Sequence, residues 1–233
     1  MPKTAFTNDD PKPWAPIPAV LEFIKEVGTG AKVLDVGAGH IPFANATHTV
    51  DLVPKTRDNM QSIALNFRHA ALPFPDKFFD FVFCRHTAED MDDPLRMLEE
   101  VRRVGKRGYI ETPSPLSEVC RGIDGGSPPW RGYNHHRHLI WEKDNTLFLL
   151  PKLVPLEHFA LDDAKHIALL QAAPALGNTY LLWEGSFEIR FAWDEILLNY
   201  EKRLPGPTYQ QAVEAAIEEG IASSTKFLAS MRA

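Results

Sequence analysis

Apolar positions along the first 115 residues alternate between a helical rhythm and short uninterrupted runs. Residues 18–27, PAVLEFIKEV, place Val20, Leu21, Ile24 and Val27 on one helical stripe that Gly28 ends. Apolar runs of strand length follow at 32–36, 48–52 and 79–84. Between the last two, 58–67 carries a weak helical pattern leading to a strand candidate at 65–70. Residues 94–104 are amphipathic, with Leu95, Leu98, Val101 and Val104 on one stripe. Asp92 or Asp93 caps this helix, Pro94 takes its first turn and Gly105 stops it. Arg102, Arg103, Lys106 and Arg107 crowd its C-terminus, where positive charge suits the helix dipole. A further strand, 108–112, is closed by Pro113. Strand and helix alternate, which predicts an α/β fold with a mostly parallel sheet covered by helices.

The second half is less regular. Residues 122–134 read as a loop rich in Gly, Pro and aromatics, and 138–150 as a hairpin turning at Lys143-Asp144-Asn145, an extra hairpin after the fifth strand. A helix near 161–173 precedes a second hairpin candidate over 179–191, expected as the antiparallel edge of the sheet. The tail from Thr208 reads as helix with an interruption near Gly220. Without a convincing linker, 1–233 is expected to form one domain. It would comprise an extended lead to residue 18, a first half to 115, and a more irregular remainder.

Composition narrows the function classes. A chain that is 44% hydrophobic and 24% charged reads as an ordinary globular protein. Its net charge of −6 argues against a broad phosphate-binding surface, so no nucleic-acid partner is expected. The N-terminus has no apolar signal-peptide core, and no stretch approaches the ~20 apolar residues of a membrane span. The expectation is a cytoplasmic monomer or homodimer. Cys84 and Cys120 form no disulfide framework, and Cys84 reads as a small buried hydrophobe.

Candidate chemistry concentrates in AKVLDVGAGHIPFANATHTVDLVP, residues 31–54. A strand, a glycine turn and a later carboxylate, Asp51, are what a nucleoside-bearing cofactor needs. Dinucleotides require a third glycine, but that position is Pro42, which disfavours a pyrophosphate-cradling helix. S-adenosylmethionine has no phosphate and asks only for close backbone approach and a carboxylate for its ribose.

Here the sequence resembles the class I S-adenosylmethionine-dependent methyltransferases. VLDVGAG, 33–39, looks like their first motif, and Asp51 matches the acid ending their second strand. Leu72-Pro-Phe-Pro-Asp76 through Asp80 resembles the LPFPDxSFDxV stretch of the small-molecule group called type 11. His86-x-x-Glu89, Asp93-Pro94 and the Gly105–Gly108 turn also fall in order. The resemblance covers about 21–115 and implies a Rossmann-like sheet binding S-adenosylmethionine. By it, Asp51 would hold the ribose hydroxyls and Leu52 would pack on adenine. Gly37, Ala38 and Gly39 would admit the methionine end, with Asp35 near its ammonium or in a capping or turn role. His40 and His86 are further cofactor candidates.

Three departures stand out. The crossover from Ala38 to Thr47 is ten residues, below the dozen or so of a helical connection, so a loop or single turn is expected. Related proteins usually place an Asp shortly before LPF; here the local residues are Arg68-His69-Ala70-Ala71, leaving backbone groups around His69 and Ala70 to read adenine. Asp90 replaces the His expected after Glu89.

For the acceptor, the strand ends bring His86 and Glu111-Thr112, and a loop follows that includes Trp130-Arg-Gly-Tyr133-Asn-His135-His136-Arg-His138. If 136–142 is extended, His136 and His138 share a face and His135 points away. His135 and His136 are candidates for a base or for positioning the acceptor, with structural hydrogen bonding as the alternative. Trp130 and Tyr133 are candidate wall residues. No metal-ligand spacing is present, and no metal is expected. These residues point to methyl transfer to a small molecule, with a non-catalytic binding or scaffold protein as the alternative.

Overall fold

The computed structural model describes residues 6, 17–55, 58–67, 69–125, 129–203 and 205–231. The chain forms two compact units, one of residues 18–112 and 180–188 and the other of 113–179 and 189–231 with residues 6 and 17. The extended lead expected before residue 18 lies largely outside the described residues, as does Arg68. No helix among the described residues is long and apolar enough to cross a membrane.

The first unit opens with helix α1 (Pro18–Gly28), which buries Val20 and Ile24. Strands β1 (Val33–Val36), β2 (His48–Asp51), β3 (Gln61–Ala64), β4 (Phe81–Arg85) and β5 (Arg107–Pro113) pair in parallel in the order β3-β2-β1-β4-β5. Strand β8 (Asn178–Glu184) closes the sheet as its antiparallel edge. β1 is buried along its whole length, as a strand covered on both faces must be. Helix α2 (Pro94–Val104) turns Met97, Leu98, Val101 and Val104 inward, and Asp93 caps it by accepting from the Arg96 N–H.

The basic residues at the end of α2 do more than answer its dipole. Arg103 forks onto Glu100 and Asp76 and donates to the carbonyls of Leu72 and Phe74. That one guanidinium fastens the Leu72–Asp76 loop to the helix.

The short crossover contains turns and no helix, as expected. In place of a helical face, Phe43 lies buried and stacks on Phe83 of β4, ring centroids 4.3 Å apart. Its N–H donates to Asp35 at 2.7 Å, so a single aromatic and one buried carboxylate cover the sheet there.

Residues 58–67 differ from expectation. They form no helix, and the strand lies at 61–64 instead of 65–70. Asn59 takes a left-handed conformation that breaks helix, and pairing with β2 draws the following residues into extension.

In the second unit a short helix α3 (Pro115–Val119) precedes the predicted hairpin of β6 (His138–Lys143) and β7 (Thr146–Pro151). Asp144 and Asn145 both take positive φ at its two-residue turn, where those side chains are favoured. Helix α4 (Asp163–Ala172) follows. The expected hairpin over 179–191 is not one: β8 belongs to the six-stranded sheet and β9 (Glu188–Phe191) adds to β7 in a three-stranded sheet. The turn at Gly185 therefore redirects the chain between sheets.

Helix α5 (Ala192–Lys202) was not signalled by periodicity and buries no residue completely. Helix α6 (Tyr209–Ser230) starts with a Thr208–Gln211 capping box and runs through Gly220 without interruption. A Cβ at Gly220 would stand 3.2 Å from Pro115, so this glycine serves close packing rather than helix termination. Leu116, Val119, Leu139, Trp141, Leu150, Val213 and Ile217 form the core of this unit.

Gly108 tests the sheet packing. A Cβ there would overlap the Val82 carbonyl and press on Trp183. Gly108→Ala is expected to lower stability by about 2–3 kcal/mol, read as a lower urea midpoint at unchanged m. An unmoved midpoint would contradict this packing.

Candidate functional site

The carboxyl ends of β1, β2 and β4, with the segment after β3, surround a cleft of about 590 Å³, within the range of small-molecule sites. Of the residues singled out in the sequence, Gly37, Gly39, Asp51, Leu52 and His86 line it together.

Gly37 has φ +73° and is packed so closely on Thr87 that any Cβ would overlap that side chain. Thr87 in turn donates toward the carbonyls of Val36 and Arg85, joining the ends of β1 and β4. Gly39 has φ +54° and open space where a Cβ would stand, so a ligand can reach its backbone. Asp51 accepts from the Gly39 N–H at 2.9 Å and the Val53 N–H at 3.1 Å. Leu52 is 63% exposed beside it, an apolar surface awaiting cover.

Other candidates stand elsewhere. Ala38 is buried and off the cleft, and His40 is exposed and does not line it. Asp35 is buried and off the cleft as well, and accepts from the Phe43 N–H. His69 and Ala70 do not reach the cleft, because both N–H groups donate to the Asn66 carbonyl in a turn. Asn66 and Phe67 form that wall in their place. Sequence reasoning missed them because it set the third strand four residues late. Thr87, Asp90, Met91 and Asp92 also went unread as lining.

His86 is the one cationic side chain on the described lining. It adopts a left-handed φ of +50° just after β4, an uncommon backbone state for a non-glycine residue. Its Nε2 lies 3.3 Å from Glu111 Oε1 and its Nδ1 3.3 Å from Glu89 Oε1. Arg85 donates to the same Glu111 oxygen at 3.0 Å, and the Tyr109 hydroxyl donates to the other at 2.5 Å. Glu89 and Glu111 are each almost wholly buried. The Glu89 contact has ion-pair distance without hydrogen-bond alignment, leaving His86 as the one counterion near that buried carboxylate among the described residues.

Burial opposes charge on His86, but Glu111 and Glu89 outweigh it and push its pKa up to about 9. Burial likewise opposes charge on Glu111, yet His86 and Arg85 hold its carboxyl below the usual range. At neutral pH His86 is therefore an imidazolium with a carboxylate near each ring nitrogen. It is a fixed charge and not a base.

In the second unit the loop follows the predicted alternation: His136 and His138 are buried and His135 is exposed. His136 Nδ1 sits 2.6 Å from Glu118, a fully buried carboxylate. Tyr133 is buried and Trp130 is 51% exposed.

The His86 cluster sets a pH dependence. A folded pKa of about 9 against 6.5 unfolded contributes stability that is complete below pH 6.5 and lost as pH rises through 9. The full effect is about 3 kcal/mol. Urea midpoints should fall between pH 7 and pH 10 in the wild type, and His86→Asn should flatten that fall while lowering stability at pH 7. An equal decline in both proteins would remove the imidazolium assignment.

Residues 26–110 match the family model described as a methyltransferase domain, type 11. Among solved structures, the YcgJ protein of Bacillus subtilis is 21% identical, with 48% of this chain and 61% of that chain covered and a TM-score of 0.37. An S-adenosylmethionine-dependent methyltransferase from Mesorhizobium loti is 17% identical, covering 44% and 56%, with a TM-score of 0.37. The chain thus spans less than two thirds of either. No curated protein matches it. The glycine turn after β1, the acid ending β2 and most of the parallel set β3-β2-β1-β4-β5 fall within the segment that matches the methyltransferase-domain model, which covers less than half of the chain.

Proposed function

We propose that this chain binds S-adenosylmethionine and transfers its methyl group to a small-molecule acceptor. The observation that carries this reading is the convergence of Asp51, Gly37 and Gly39 on one cleft at the carboxyl ends of parallel strands. The donor set fits the cofactor. Asp51 would accept from both ribose hydroxyls, Leu52 and Phe67 would flank adenine, and the open backbone at Gly39 would meet the methionine end. The lining carries three carboxylates, Asp51, Asp90 and Asp92, against the single imidazolium of His86. That balance suits a sulfonium cation and repels a pyrophosphate. Bound there, the cofactor supplies an electrophilic methyl group, and the protein's part is to orient the acceptor and exclude water. The same reading has the protein acting in the cytoplasm as a monomer or homodimer, without nucleic-acid or membrane partners.

One observation favours a second reading, a binding or scaffold protein without catalysis. Asp51 already spends one oxygen on the Gly39 N–H and the other on the Val53 N–H, so ribose must share or displace these bonds.

Calorimetric titration with S-adenosylmethionine and its demethylated product, with NAD as control, tests the cofactor. Both should bind saturably and NAD should not. Asp51→Ala should weaken binding at least tenfold, about 1.4 kcal/mol or more, the scale of lost charge-assisted hydrogen bonds. Equal affinity in this variant would remove Asp51 from the site. Transfer of tritiated methyl to a panel of small hydroxyl and amine compounds then separates the readings: binding without product favours the scaffold.

A further inference from the structure

Helix α5 reads AWDEILLNYEK, and its apolar residues point in two directions. Trp193 and Ile196 pack against the core of the second unit, Trp193 perpendicular to the Tyr209 ring with centroids 5.8 Å apart. Leu197, Leu198 and Tyr200 are instead 40%, 47% and 83% exposed. These are three of the nine large exposed apolar side chains among the described residues, gathered within four positions. A surface helix normally carries one apolar stripe, turned to its own core. The second stripe of α5 is surface of the kind that partners cover.

Charge is arranged along the same exposed side. Asp194, Leu198 and Lys202 fall at i, i+4 and i+8, one row along the helix. All three are exposed, and neither Asp194 nor Lys202 has an ion-pair partner among the described residues. The two charged positions stand about 12 Å apart along the helix axis, too far to pair with each other. An acid in the first turn and a base in the last suit the helix dipole. The dipole does not require them to share a row with an exposed leucine.

We propose that α5 is the docking surface for a second copy of this chain, the two helices antiparallel across a two-fold axis at Leu198. A two-fold interface must be self-complementary. This row is: a negative charge lies four residues before its centre and a positive charge four residues after it. Antiparallel pairing sets Asp194 of each copy against Lys202 of the other, with Leu198 meeting its own counterpart between them. A parallel pair would oppose like charges. Rows spaced by four residues are also the ridges that interlock in the commonest class of helix pairs. Leu197 and Tyr200, one turn apart, extend the apolar surface to one side. The face of an 11-residue helix is smaller than the ~800 Å² per partner of a standard interface, so the dimer should dissociate at roughly tens of micromolar. Nothing in this pairing depends on methyl transfer.

Sedimentation velocity of the full chain, from low micromolar to near-millimolar concentration, tests the pairing. The mass should rise from 26.2 kDa toward twice that value, and less steeply at high salt. Leu198→Glu should hold the chain at the monomer, because two like charges then meet on the axis. Asp194→Lys and Lys202→Asp should each weaken association about tenfold, as two exposed ion pairs become two like-charge contacts. An equal mixture of those two variants should associate again, since every lysine then faces an aspartate. Misfolded variants would not show that rescue. A chain that stays monomeric at every concentration, a dimer that survives Leu198→Glu, or a mixture that stays dissociated overturns the proposal.

Discussion

The two-sided parallel pairing of β1 is the constraint on which the first unit depends. Its residues hydrogen-bond to β2 on one side and β4 on the other, with Val36 opposite both Val50 and Cys84. Because parallel strands end together, this register brings Gly37, Asp51 and His86 to one edge although they are distant in sequence. A one-residue slip of either neighbour would turn its side chains to the opposite face. Thr87 closes the arrangement by bonding to the Val36 carbonyl against a glycine that admits no side chain.

Around that edge the protein spends buried charge freely. Arg85, His86, Glu89 and Glu111 pair off within two strand ends, and their formal charges cancel. Each ion removed from water must recover its hydration from partners, and losing one leaves another stranded. Glu89 is the extreme case, with His86 as its counterion. The cluster explains why the histidine beside the cleft is protonated at neutral pH. Glu118 in the second unit repeats the device, with His136 at one carboxylate oxygen and Lys152 at the other.

The loop that replaces the first crossover helix shows how little is needed to cover a strand. Phe43 stacks on Phe83, and Asp35 anchors it through one backbone bond. Asp35 is buried off the cleft lining, and its carboxylate holds the loop through the Phe43 N–H.

Local chemistry by itself determined much of this protein. The glycine turn, the acid ending β2, the capped amphipathic α2, the Asp144–Asn145 turn and the absence of a crossover helix all follow from residue type and spacing. Each depends on contacts within a few residues or on the reach of the chain. What sequence misjudged depends on partners far away. Residues 61–64 pair with β2, β8 and β9 join different sheets, and Gly220 lets α6 pack close to Pro115. The roles of the histidines were equally nonlocal. His86 and His136 look alike in sequence, and only tertiary structure decided that one faces two carboxylates and is charged while the other shares one carboxylate with a lysine. Electrostatic environment is a property of three-dimensional neighbours, which spacing along the chain does not encode.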